Sequence, residues 1–130
     1  LDMVALSAAA CAAAGGDGRI GMLASPAVHM TRLFEPSLAA HGLQAVWPED
    51  GDAVLGSIRA IKAEGAAETS TEGLRAASLR LAEAGVEVQL VACTEFSLAV
   101  RHLPRGIVGL DTLDALVAAI VSHATGAPRG

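Results

Sequence analysis

Four short apolar runs, separated by stretches with helical spacing, constrain this chain more than any other feature. They fall at residues 19–24 (RIGMLA), 43–47 (LQAVW), 86–92 (VEVQLVA) and 107–110 (IVGL). Each is short for a core helix, and turn residues such as Gly, Pro and Asp punctuate the stretches between them. Such runs read as buried strands. Parallel strands need long crossovers, and the stretches between these runs are long enough and helical enough to serve. The expectation is an α/β chain: a Rossmann-like three-layer domain with a central parallel four-stranded sheet and helices on both faces. At 130 residues it reads as one domain, long enough to bury roughly two-thirds of its unfolded surface. Residues 1–125 form that domain, and residues 126–130 read as a frayed tail.

The helices follow from spacing and punctuation. Residues 4–14 (VALSAAACAAA) form an alanine-rich helix, broken by Gly15-Gly16-Asp17-Gly18. Ser25-Pro26 supplies an N-cap and a first helical residue. The helix it opens would carry Ala27, Met30, Phe34 and Leu38 on one face, with a kink or early break at Pro36 and a stop at His41-Gly42. Residues 52–64 read as a helix with Val54, Leu55, Ile58 and Ile61 inward and Gly65 as its stop. Thr69 and Glu72 have the spacing of a capping box. They open a helix that uses Leu74, Ala77 and Leu81 and ends at Gly85. A short helix follows over residues 95–100, and Asp111 caps a last one.

Composition removes several classes of function. The net charge is −5 and the pI is near 5.2, with no Lys/Arg cluster to track a nucleic-acid backbone. One Trp, two Phe and no Tyr make no stacking platform for single strands. No nucleic acid is expected as a partner. No apolar run reaches the roughly 18–20 residues of a membrane span, so no membrane partner is expected either. Residues 4–14 lack the positive start of a signal peptide. The two cysteines, Cys11 and Cys93, make no disulfide framework. The expected compartment is the reducing cytoplasm. The four histidines have no metal-type spacing, so no metal is expected. The glycine run at residues 15–18 precedes a strand, whereas a dinucleotide loop must follow one.

Ligands of open parallel sheets gather at the carboxyl ends of strands. The four ends deliver Ser25, then Pro48-Glu49-Asp50, then Cys93-Thr94-Glu95, then Asp111-Thr112. Cys93 stands out for reactivity. A thiol at a helix N-terminus feels the positive end of the macrodipole and nearby amides, and both favour the thiolate. Thr94 can cap that helix or hold a ligand carboxylate. Glu95 lies in its first turn. A cysteine in an apolar context is also a common small core residue, and spacing alone leaves both readings standing. Cys11, amid alanines, reads as core. Lys62, the only lysine, lies beside the apolar stripe of its helix.

The stretch Leu90-Val91-Ala92-Cys93-Thr94-Glu95 resembles the second cysteine motif of the aspartate/glutamate racemase superfamily. Three further stretches resemble the family in order: residues 19–24, residues 58–65 (IRAIKAEG) and Val108-Gly109-Leu110-Asp111-Thr112. The resemblance covers roughly residues 1–123. It implies an isomerase that inverts an amino acid's α-carbon without pyridoxal phosphate, metal or other cofactor. Two cysteines face the substrate from opposite sides; one removes the α-proton as thiolate and the other returns a proton as thiol. The resemblance makes Cys93 one of that catalytic pair. It assigns substrate binding to Thr94, with Glu95, Ser25 and Lys62 as further candidates. The substrate would be a small amino acid or another carboxylate.

Three departures shape the expectation. Ser25-Pro26-Ala27-Val28 stands where the family has a threonine-glycine-threonine type turn, so only Ser25 carries over. Ala92 replaces a common glycine. The first cysteine motif, flanked in the family by asparagine and threonine, has no counterpart here. The chain therefore resembles the second domain only, the C-terminal half of such an enzyme. A missing first domain or a partner chain would supply the other acid/base. A face built to meet that domain would be apolar, which predicts a homo-oligomer. Two alternatives remain: a non-catalytic half-domain that binds a small anion or a partner chain, and a related one-cysteine decarboxylase or isomerase.

Overall fold

The computed structural model describes residues 2–65, 67, 69–92, 103–104, 107–112 and 120–121. Asp2 starts the first helix by accepting the Val4 and Ala5 amides on one carboxylate oxygen, at 3.0 and 3.2 Å. That helix is α1 (Met3–Ala14). The chain continues as β1 (Arg19–Leu23), α2 (Pro26–Thr31), α3 (Glu35–Ala40), β2 (Gln44–Val46), α4 (Gly51–Glu64), α5 (Glu72–Glu83), β3 (Val88–Val91) and β4 (Val108–Asp111).

The four strands form one sheet, all parallel, in the order β2-β1-β3-β4. This is the α/β architecture expected from the alternation of apolar runs. The period of two sorts side chains to opposite faces. Ile20, Met22, Val88 and Leu90 point to one face and pack with Ala8 and Cys11 of α1 and with Phe34 and Leu38. Leu23 and Val91 point to the other face, with Val54, Ile58 and Ile61 of α4 and Leu74 and Leu81 of α5.

Two residues let α5 sit close to the sheet. A Cβ on Gly21 would stand 2.9 Å from Leu81 Cδ1 and 3.0 Å from Gln89 Cγ. Gln89 is fully buried, and its amide is satisfied. Its oxygen accepts the Ser78 hydroxyl at 2.5 Å, and its nitrogen donates to the carbonyls of Ser78 and Val86, each at 3.0 Å. A buried amide so paired fixes register without leaving an orphan polar atom.

The helix stops match the glycines. Gly42 and Gly85 have φ of +72° and +88°, the left-handed conformation of a C′ residue. Leu43 N–H returns to Leu38 O and Val86 N–H to Leu81 O, each at 2.9 Å.

Several local expectations are corrected. The stretch after Ser25 is two helices, not one. α2 ends at Arg32, whose φ is +51°. α3 restarts with Pro36 in its first turn, where a missing N–H costs nothing. The break turns the expected face: Phe34 and Leu38 are buried, but Ala27 is exposed and Met30 is 83% exposed. On α4, Leu55 is half-buried rather than inward. The capping box does not form. α5 begins after Thr71, with no side-chain cap. Instead the Ser70 hydroxyl donates to Gly65 O and the Thr71 hydroxyl to Ala67 O, each at 2.7 Å. Thr69 contributes only its carbonyl, which the Glu72 amide reaches at 3.4 Å. Asp111 closes β4 and Thr112 is helical. The expected helix at residues 95–100, most of the last helix and the tail lie outside the described residues.

Candidate functional site

The strand order creates a switch point. From β1 the chain crosses to β2 on one side; from β3 it crosses to β4 on the other. The crossovers diverge between β1 and β3, which opens a crevice at their carboxyl ends. Leu23 and Val91 pair there in register. The Ala92 amide donates to Leu23 O at 3.0 Å, so the ladder runs one residue past β3. Cys93 is the next residue in the chain. Cys93, Thr94 and Glu95 themselves lie outside the described residues.

Ser25 stands two residues past β1. It is the N-cap of α2, in extended backbone, and its hydroxyl oxygen accepts the Val28 amide at 3.4 Å. A Cβ on Gly51 would stand 4.0 Å from Pro26 Cγ, so the starts of α2 and α4 meet at this edge. Asp50 caps α4, its carboxylate accepting the Ala53 amide at 3.0 Å. The positive ends of two helices thus face one side of the sheet.

Lys62 is exposed in the last turn of α4, about 17 Å along the axis from Gly51. It follows Ile61, which is buried in the same cluster as Leu23 and Val91. Ser25 therefore sits at the switch point, and Lys62 belongs to the helix layer over it.

Cys11 is fully buried in α1, packed in the layer that holds Ile20 and Met22. Burial pushes its thiol up to about 11, because the thiolate loses its hydration there. It is a core residue, as its alanine context implies.

Sequence reasoning passed over the surroundings of Trp47. Its ring stacks on His29 with centroids 4.2 Å apart and planes 6° from parallel. Its indole N–H donates to Glu35 Oε2 at 3.1 Å. Glu35 Oε1 is buried and has no partner among the described residues. A cavity of about 320 Å³ opens between the end of β2 and α5. The available signal was a lone Trp at the end of an apolar run. Among the described residues, no three His, Cys, Asp or Glu side chains gather as metal ligands, and no helix is long and apolar enough to cross a membrane.

Comparison with known proteins agrees with this fold. The sequence profile of the family described as Asp/Glu/Hydantoin racemase matches residues 1–121. Among solved structures, the chain is similar to an aspartate racemase from Picrophilus torridus, with TM-score 0.76 and 22% identity over 96% of this chain and 52% of that one. It is also similar to a protein from Yersinia pestis described as a putative Asp/Glu racemase, with TM-score 0.80 and 23% identity over 96% of this chain and 56% of that one. At these identities the likeness is one of fold. The chain spans about half the length of both proteins. No curated protein matches it.

Proposed function

The chain belongs to the Asp/Glu/hydantoin racemase family, and from that premise we propose that it carries one face of a cofactor-independent amino-acid racemase site. Cys93 is the acid/base of that face. As thiolate it takes the α-proton and becomes the thiol, leaving a planar carbanion. A second thiol on the opposite face gives its proton to the carbon and becomes the thiolate, which inverts the centre. The site must stabilise the carbanion by fixed dipoles and positive charge. The amide-bearing start of α2, beside Ser25, is suited to the substrate carboxylate. Thr94 and the Ser25 hydroxyl hydrogen are further donors to it. Glu95 is a further substrate-binding candidate. Lys62 binds a side-chain carboxylate, which makes aspartate and glutamate the first substrates to test.

The observation that carries this reading is the switch point. The ladder between Leu23 and Ala92 brings the residue before Cys93 alongside the strand that leads to Ser25. The second acid/base is not Cys11, which is fully buried in α1, in the layer of Ile20 and Met22, where no substrate reaches it. It comes from a first domain or a partner chain, and the chain acts as the C-terminal half of the site. Chiral chromatography of L-aspartate and L-glutamate incubated with the intact gene product tests the proposal. The D-enantiomer should accumulate, and Cys93→Ser should reduce the rate by at least about a hundredfold, the lower range of a lost acid/base. Undiminished inversion in the Cys93→Ser protein would refute the assignment.

A further inference from the structure

The cavity between β2 and α5 is separate from the switch point: neither Ser25 nor Ala92 lines it. At about 320 Å³ it lies at the small end of the roughly 300–1,000 Å³ found for ligand pockets. Its floor is apolar, built from Ala77 and Leu81 of α5, with Val46, Trp47 and Pro48 at the end of β2. Opposite charges stand on opposite walls. Arg80 of α5 brings a guanidinium, and Glu49 and Asp50 of the loop after β2 bring carboxylates. Asp50 is engaged through one oxygen as the α4 cap. Among the described residues, the side chains of Arg80 and Glu49 have no hydrogen-bond or ion-pair partner.

We propose that this cavity is a second small-molecule site, which takes a zwitterionic amino acid with a short branched or unbranched apolar side chain. A guanidinium suits a carboxylate because its planar fork offers two parallel donors. The carboxylates of the facing loop suit an ammonium. The alanine, leucine and tryptophan surfaces between them suit an aliphatic chain and offer a polar side chain nothing. A simple anion would meet two carboxylates, and a simple amine would meet the guanidinium. Only a ligand that carries both charges satisfies both walls.

Trp47 lines the cavity and is the only Trp, so its fluorescence reports occupancy. The test titrates L-leucine into the protein and reads Trp47 emission alongside calorimetric heat. Isocaproate, which lacks the ammonium, and isoamylamine, which lacks the carboxylate, are titrated in parallel. Saturable binding of leucine is expected, with each analogue about tenfold or more weaker, as for one lost charge-assisted contact. Arg80→Gln and Glu49→Gln should each weaken leucine by a similar factor. Ala76→Phe, which fills the cavity from an exposed position on α5, should abolish the emission change while leaving the far-ultraviolet circular dichroism intact. Absence of saturable leucine binding would overturn the proposal. So would equal binding of either analogue, or leucine binding that survives Ala76→Phe in the folded variant.

Discussion

Cys11 and Cys93 are the same residue type, and the account gives them opposite chemistry. Cys11 lies under a helix in a dry layer, with its thiol pushed up to about 11. An unfolded thiol loses its proton near 8.5, so above that pH the unfolded chain ionises first. The stability contributed by Cys11 is therefore complete below about pH 8.5 and falls as pH rises toward 11, by roughly 3 kcal/mol in all. Urea titrations at stepped pH should show this decline in the native protein and a shallower one in Cys11→Ala. Gln89 is a second residue whose role comes from its surroundings. Gln89→Ala would leave the Ser78 hydroxyl and two carbonyls with lost partners and open a cavity, which should cost about 2–4 kcal/mol by urea denaturation. The sequence marked Cys93 and Ser25, because strand ends and caps are local signals. It could not mark Gln89, because its main partner, Ser78, is eleven positions away on another element.

At the level of elements, the tightest constraint is the crossing of α4 and α5. A Cβ on Gly73 would stand 2.6 Å from the Ala53 carbonyl oxygen and 2.9 Å from Ser57 Oγ. Ser57 Oγ also accepts the Leu74 amide at 2.9 Å, so it cannot move away without losing a buried bond. Gly73→Val should cost about 1–3 kcal/mol, the usual penalty of overpacking. Gly56 is the contrast: it lies inside α4 with open space where a Cβ would go. Gly56→Ala should raise stability by about 0.5–1 kcal/mol, because a helix interior favours alanine over glycine. Both changes are read from thermal midpoints. Strands and helix stops were legible because Gly and Pro act locally. The division of residues 26–40 was half legible: Pro36 signalled a break, but the left-handed turn at Arg32 that exposes Met30 had no signal of its own. The Thr69–Glu72 box failed because Ser70 and Thr71 took over the turn with their own hydroxyls. The cavity was the least legible feature, since its walls come from β2 and α5 and meet only in the fold.

Across the whole molecule, the sheet is shared by two core layers, so neither layer can melt alone without exposing the other. Ile58→Ala in the α4–α5 layer and Leu38→Ala in the α1–α3 layer should each cost about 2–5 kcal/mol. Both should keep a single transition in which circular dichroism and Trp47 emission change together. A parallel sheet was legible from the alternation of apolar runs. The strand order was not, because sequence does not say on which side of β1 the third strand returns. That order is what creates the switch point, and with it the central claim that Cys93 moves the α-proton of an amino acid. The most direct measurement follows loss of the α-proton signal of L-aspartate and L-glutamate by proton NMR in D₂O, using the intact gene product. The account predicts washout in the native protein, washout at the native rate in Cys11→Ala, and none above background in Cys93→Ser. Washout that persists in Cys93→Ser, or its absence from the native protein with both amino acids, would contradict it.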